Sequence, residues 1–280
     1  MNDYNLIAGI HTLSIKTSDS VIEVPEITHV TKNLVTGMTT IRINPNKING
    51  FIASYSDFME KMSVILAKAN ITSYSLVRVD MCFDSYDSEH YHRYAKLNRL
   101  LISMIAQAYC VRNKYRTTDL FTSKQLSIAI KNPNSFEVEN YDKAYESMGK
   151  ARAKSRFEIR STRMDGCSIE DEFINRWNTR LDKALDCFDD TLSRYNNELV
   201  KIYLEDESKM KYATFFQVYE SCIFTKHQAV DLLERMRIDN PKEAYKYLKK
   251  KYKLVTYTKD DVISTIDEIK RARDVFFNGE

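Results

Sequence analysis

Three stretches of this chain alternate apolar with ionic side chains at a period of two. A strand sends successive side chains to opposite faces, so such segments commit the fold to strands with one dry face and one charged face. In Ser75–Asp84, Val77, Val79, Met81 and Phe83 oppose Arg78, Asp80, Cys82 and Asp84. In Ser135–Lys143, Phe136 and Val138 oppose Glu137, Glu139, Tyr141 and Lys143. In Ser155–Arg160, Phe157 and Ile159 oppose Arg156, Glu158 and Arg160. Carboxylates beside Arg, Lys and Tyr could build a metal-assisted phosphoryl-transfer site. A solvated sheet face laced with ion pairs has the same pattern, and spacing alone leaves both readings open.

The rest of the chain adds helices to these strands. Ile10–Lys16 and Met38–Asn44 alternate as strands, with a turn over Asn44–Gly50. Ser54 is placed to cap a helix running to about Ala69. Leu97, Leu100, Leu101, Met104, Ile105 and Ala108 mark an amphipathic helix over Tyr94–Ala108. Gln125–Ile130 reads as a strand that turns at Asn132–Asn134 into Phe136–Lys143. The expected order, β-β-α-β-α-β-β-β, is that of an α+β fold: an antiparallel-rich sheet with helices on one face and an open polar face opposite. Residues 1–165 are the expected α+β domain and 166–280 a helical one. In the latter, Ser168 and Asp171 cap one long helix or a broken pair. Three shorter helices follow near Lys226–Met236, Pro241–Lys250 and Lys259–Arg273, with Thr225 and Thr258 as caps and a short extended run at Tyr252–Tyr257. That arrangement suits a helix-turn-helix or winged DNA-binding module, a dimerisation module, or equally many small helical bundles, and the basic run Lys246, Lys249, Lys250, Lys251 and Lys253 tilts it slightly toward DNA.

Charge and composition narrow the partners. The net charge is +3, split into +5 for residues 1–165 and −2 for the remainder. The densest cationic stretch holds Lys150, Arg152, Lys154, Arg156, Arg160 and Arg163, offset by Glu158, and suits a phosphate backbone. The chain has 18 tyrosines, which could stack on bases. No apolar run approaches the roughly 20 residues of a membrane span, and the N-terminus lacks the pattern of a secretory signal. The five cysteines (Cys82, Cys110, Cys167, Cys187 and Cys222) form no CxxC pair. A reduced, cytoplasmic setting without membrane contact is expected. There is no phosphate-binding GxxxxGK[ST] loop, no GxSxG and no HExxH.

The ionic faces carry the candidate chemistry. Asp80 and Asp84 point the same way about 13 Å apart on an extended strand. Either could share Mg²⁺ or Mn²⁺ with Glu137, Glu139 or Glu158 from neighbouring strands. Tyr141 is a candidate nucleophile, and Lys143 could lower its cost of ionisation or neutralise a pentavalent phosphate. Arg156 and Arg160 could hold flanking phosphates. Tyr145 competes with Tyr141. His90-Tyr-His92 has the form of a metal-binding pair but falls at a helix start, and His11, His29 and His227 show no ligand spacing.

In order, Arg78-Val-Asp-Met-Cys-Phe-Asp84, Glu139-Asn-Tyr-Asp-Lys-Ala-Tyr-Glu146 and Arg156-Phe-Glu-Ile-Arg160 resemble three blocks of the rolling-circle replication initiators. These are the initiators of Gram-positive plasmids and phages, related to conjugative relaxases. The resemblance covers residues 70–165. It implies a tyrosine that attacks origin DNA and stays on the 5′-phosphate, leaving a 3′-OH, with acidic residues holding a divalent metal. Carried over by position, Asp80 and Asp84 match the first block, Tyr141, Lys143 and Glu146 the second, and Arg156, Glu158 and Arg160 the third. On this reading Tyr141 and Lys143 are catalytic, and Asp80, Asp84, Glu139 and Glu158 hold Mg²⁺ or Mn²⁺. Arg78, Lys150, Arg152, Lys154, Arg156, Arg160 and Arg163 are read as contacts to DNA that is single-stranded or extruded at the origin. A host helicase and a homodimer are further partners left open. The chain departs from the pattern in having Ile130–Ser135 where a Gly-Ser-Arg element is expected. The expected function is therefore a nicking initiator of a mobile element. The alternatives are an origin or operator binder on the same scaffold that does not cut, a metal nuclease that uses water, and a structural interaction protein.

Overall fold

The computed structural model describes residues 6–48, 50–52, 54–86, 91–111, 113–115, 128–132, 135–164, 166–194, 225–254 and 256–279, the side chains of 91–94 and 113–115 excepted. The fold is α+β. Eight antiparallel strands form one sheet in the order β2-β3-β1-β4-β8-β7-β6-β5. They are β1 (Leu6–Thr17), β2 (Ile27–Lys32), β3 (Thr39–Ile43), β4 (Ser75–Ser85), β5 (Asn113–Tyr115), β6 (Ile128–Asn132), β7 (Phe136–Asp142) and β8 (Ser155–Thr162). The helices are α1 (Tyr55–Lys68), α2 (Tyr91–Ala108), the one-turn α3 (Lys143–Glu146), α4, α5 (Lys226–Arg235), α6 (Pro241–Tyr252) and α7 (Lys259–Asn278). Of these, α4 begins at Ile169–Asp171, passes through a π turn at Glu172–Arg176 and continues over Trp177–Leu185.

Period two sorts the sheet as expected. Val79, Met81, Phe83, Phe136, Val138, Phe157 and Ile159 are buried in one core. Helix α2 packs on β6, β7 and β8, and α7 packs on β1. The caps also follow the sequence. Ser54 accepts from Asp57 N, Ser168 from Asp171 N, Thr225 from Gln228 N and Thr258 from Asp261 N, each satisfying a backbone donor that the first turn leaves free.

Several elements differ from expectation. Strand β2 was not expected, because its exposed edge carries His29, Thr31 and Lys32 in place of an apolar row. The short β5 was missed as well. The long helix after Ser168 breaks at 186–187 and resumes over 188–194; its expected continuation through Tyr195, Leu199 and Tyr203 lies outside the described residues, as do Gln125–Ser127, Pro133–Asn134, His90 and Cys222. The extended run near Tyr252–Tyr257 is no strand among the described residues. Tyr252 ends α6, and Lys253 closes it with a left-handed backbone.

Elements on both sides of residue 165 share the core. Trp177 of α4 stacks edge-on against Phe136 and donates from Nε1 to Ser161 Oγ at 2.9 Å. Phe276 and Phe277 of α7 meet Tyr55 at the start of α1. Buried Glu172 of α4 accepts from Ser161 at 3.1 Å and from Arg180 at 2.8 Å.

One feature bends the polar side out of strict alternation. A bulge in β1 between Ile10 and Thr12 breaks the register with β4, so that His11 and Thr12 both reach the polar face. The segment after β3 seals the neighbouring edge. Asn46 Nδ2 donates to the carbonyls of Ile10 and His11, and Asn46 Oδ1 accepts from Ile52 N. Gly9 makes this approach possible, since a Cβ there would stand 2.5 Å from both Ile52 O and the Phe51 ring. Gly9→Ala is therefore expected to displace Phe51–Ile52 and cost about 1–3 kcal/mol. A urea midpoint equal to the parent's would show that the segment yields freely.

Candidate active site on the polar sheet face

Strand register sets the site. Asp84 lies opposite Arg156, which lies opposite Tyr141. In the next row, Cys82, Glu158 and Glu139 are neighbours, and beyond it Thr12, Asp80, Arg160 and Glu137. The three blocks singled out in the sequence thus lie on adjacent strands, β4, β8 and β7, with their ionic side chains on one face.

The acids are held by cations. Arg156 grips Asp84 through two hydrogen bonds of 2.7 and 2.8 Å. Arg78 takes Asp80 at 2.6 and 3.0 Å. Thr12 Oγ1 also donates to Asp80, and Arg42 approaches to 3.4 Å. Glu139 and Glu158 are directly opposed like charges, an arrangement that repels. Arg160 lies between them, 2.8 Å from Glu139 and 3.2 Å from Glu158. Glu137 binds Lys131 at 2.7 Å and lies 3.5 Å from Arg160.

Glu158 is the hub. Tyr141 Oη donates to its Oε2 at 2.9 Å, and His11 Nδ1 lies 3.4 Å from its Oε1. Burial alone would raise the Glu158 carboxyl, but the hydrogen bond from His11 and the charge of Arg160 hold it well below the usual range. Burial, with Glu158 beside it, pushes the Tyr141 phenol far up, so this tyrosine stays protonated. Burial also raises Tyr86, at the end of β4, to about 12, with Asp84 adding to the effect.

The face is not open as the sequence suggested. Asp80 is 0% exposed, Glu158 1% and Tyr141 6%. Guanidinium groups pair with the carboxylates, and Phe51–Ile52 lie over Gly9. One donor remains in this layer: Arg156 Nη1 is buried without a hydrogen-bond partner among the described residues.

The carboxylates as arranged do not fit a divalent metal. Asp80 and Asp84 bind different arginines, Arg160 occupies Glu139 and Glu158, and among the described residues no three His, Cys, Asp or Glu side chains gather around a common point. Binding of Mg²⁺ or Mn²⁺ here would require an ion pair to open. His90, half of the other pair noted in the sequence, lies outside the described residues.

The expected DNA contacts divide. Lys150, Arg152 and Lys154 are exposed on the loop entering β8, beside Tyr86; Lys154 N donates to Ser85 O. Lys143 binds Glu146 at 2.7 Å and lies 5.7 Å over the Tyr141 ring. Tyr145, 48% exposed, lines an open depression with Met148 and Gly149 at the same end. Arg163 is exposed past the opposite end of β8, about 24 Å away along the strand. Arg78, Arg156 and Arg160 spend their charge on acids. Sequence reasoning missed His11, Thr12 and Arg42 as members of the site, because only the bulge and the β1–β3 pairing bring them there.

No protein-family model matches this chain, and no curated protein matches it. Among solved structures, a rolling circle replication initiator protein from Geobacillus stearothermophilus aligns over 65% of this chain and 80% of that one. The identity is 9% and the TM-score 0.27, too loose a likeness to carry an argument. No described helix is long and apolar enough to cross a membrane.

Proposed function

We propose that this chain is a replication initiator of the rolling-circle kind that acts on DNA at the Tyr141 end of the polar face. The observation that carries the reading is the side-by-side arrangement of three distant sequence blocks, with Tyr141 hydrogen-bonded to Glu158 at 2.9 Å. A nucleophile within hydrogen-bond reach of a carboxylate that is itself oriented by His11 and Arg160 has the geometry for proton transfer once the row opens. In the proposed step Tyr141 Oη bonds to phosphorus while its proton passes to Glu158. The bond from phosphorus to the 3′ oxygen breaks, and that oxygen takes a proton from water. The products are a 5′-phosphotyrosine and a free 3′-OH. The unpartnered Arg156 Nη1 is the donor available to a phosphate oxygen, and Lys150, Arg152 and Lys154 would receive the flanking backbone. A host helicase and a second copy of the chain are partners that this reading admits.

A second reading, an origin or operator binder that does not cut, is favoured by a specific observation. Tyr141 is 6% exposed and its phenol is strongly disfavoured as an anion, so attack requires the row to open. Incubating the full chain with single-stranded and hairpin DNA from its own element, in Mg²⁺, Mn²⁺ and EDTA, separates the two. Under the nicking reading, a denaturing gel and peptide mapping give an adduct on Tyr141. It falls to background in Tyr141→Phe, while that variant's DNA affinity stays within about twofold. An adduct on Tyr145 keeps the function and overturns the site. Salt-sensitive binding without an adduct selects the binder, and cleavage without an adduct selects a nuclease that uses water. Absence of DNA binding overturns the initiator reading altogether.

A further inference from the structure

Far along the chain from the polar rows, α5 and α6 pack against each other and bury Leu232, Leu233, Tyr245 and Leu248. Helical spacing divides the rest of α6. Lys246, Lys249 and Lys250 follow one another at i, i+3 and i+4 and share a face. Lys226, the first residue of α5, joins Lys246, Lys249 and Lys250 around an open depression that Tyr245 also lines. Tyr245 is 2% exposed, and its hydroxyl is buried without a hydrogen-bond partner among the described residues. A buried phenol without a partner is unfavourable and calls for a hydrogen-bond acceptor, such as a bound anion or water. Lys246 is 2.6 Å from the Glu243 carboxylate, which offsets its charge, and Lys226, Lys249 and Lys250 keep the depression positive.

We infer that this depression is a phosphate cradle for the backbone of duplex DNA, with the Tyr245 hydroxyl and the lysines donating to phosphate oxygens. The length of the lysine row favours a polymer over a single free phosphate. Lys246 to Lys250 spans about 6 Å of helix, which matches about two phosphates of one strand along the duplex axis. The inference rests on the initiator reading only in taking DNA as the polyanion. It gives this pair of helices a duplex-holding role separate from the chemistry at Tyr141.

The test uses the full chain and fluorescence anisotropy with a labelled random-sequence duplex and a labelled single strand over a series of salt concentrations. Lys249→Gln/Lys250→Gln is expected to weaken duplex binding at least tenfold near 0.1 M salt. It should also lower the slope of log K against log salt by about 1.8, since each lost phosphate contact removes about 0.9. Tyr245→Phe keeps the ring and should weaken binding about threefold with the slope unchanged. Lys150→Gln/Arg152→Gln serves as the comparison at the sheet end. If the sheet-end variant loses single-stranded binding while the α6 variants hold duplex as tightly as the parent, the cradle is refuted and the initiator reading stands. If only the α6 variants lose DNA, the cradle stands and the sheet-end reading falls. Calorimetry with inorganic phosphate covers the other source. Micromolar binding of the free anion, with duplex affinity unaffected by the α6 substitutions, would overturn the assignment to DNA.

Discussion

Asp84→Ala is expected to destabilise the fold by about 3–5 kcal/mol, because it leaves the Arg156 guanidinium charged, buried and without its bidentate partner. The pair is nearly inaccessible, and Arg156 already has one nitrogen without a partner among the described residues. Removing the carboxylate therefore exposes the full desolvation cost of the cation, not merely the net worth of an ion pair. Thermal unfolding should show a fall of roughly 6–15 °C, at about 2–3 °C per kcal/mol for a chain of this size. Removing both charges, as in Asp84→Val/Arg156→Met, should recover most of the loss, since an apolar pair of similar volume carries no desolvation penalty. A melting point within 2 °C of the parent for Asp84→Ala would mean that solvent reaches Arg156 and that the polar layer is wet.

The second large effect is acid sensitivity. Glu158 is held below its unfolded value of 4.5, so its contribution is present above that value and is lost as pH falls through the depressed folded one. Glu137 acts in the same direction. Its burial would raise it, but Lys131 and Arg78 bring it down. Tyr141 acts at the other limit. Its raised phenol contributes fully below the ordinary tyrosine value of 10.0, and that contribution is lost as pH rises through the folded one. Urea midpoints should form a plateau from about pH 5 to 9, fall by on the order of 1–3 kcal/mol between pH 5 and pH 2.5, and decline again above 10. In Glu158→Gln the acid fall should be shallower. A parent chain as stable at pH 2.5 as at pH 7 would remove Glu158 from its place at the centre of the network.

The face on which each ionic residue lies was legible from the alternation of single strands, and so were the caps at Ser54, Ser168, Thr225 and Thr258. The pairing of those ionic residues was not. Whether Asp84 meets Arg156 or a metal depends on the register between β4 and β8, and local spacing carries no register information. His11 shows a different limit. The two halves of β1 alternate out of phase, with Ala8 and Ile10 buried before it and Leu13 and Ile15 after it, and the bulge where the phases meet brings His11 beside Glu158 and Thr12 beside Asp80. The open polar face was a reasonable expectation for a charged surface. It failed because mutual neutralisation allows charges to be buried that would each be costly alone.

The packing of the last helix, α7, on the first strand, β1, has a consequence for synthesis. Roughly 240 residues separate the two, and a ribosome adding about 5–20 residues per second needs on the order of ten to fifty seconds to deliver the partner. Through that interval the nascent chain carries Ala8, Ile10, Leu13 and Ile15 without their final cover. Chaperone occupancy of β1 should therefore persist until α7 has left the exit tunnel.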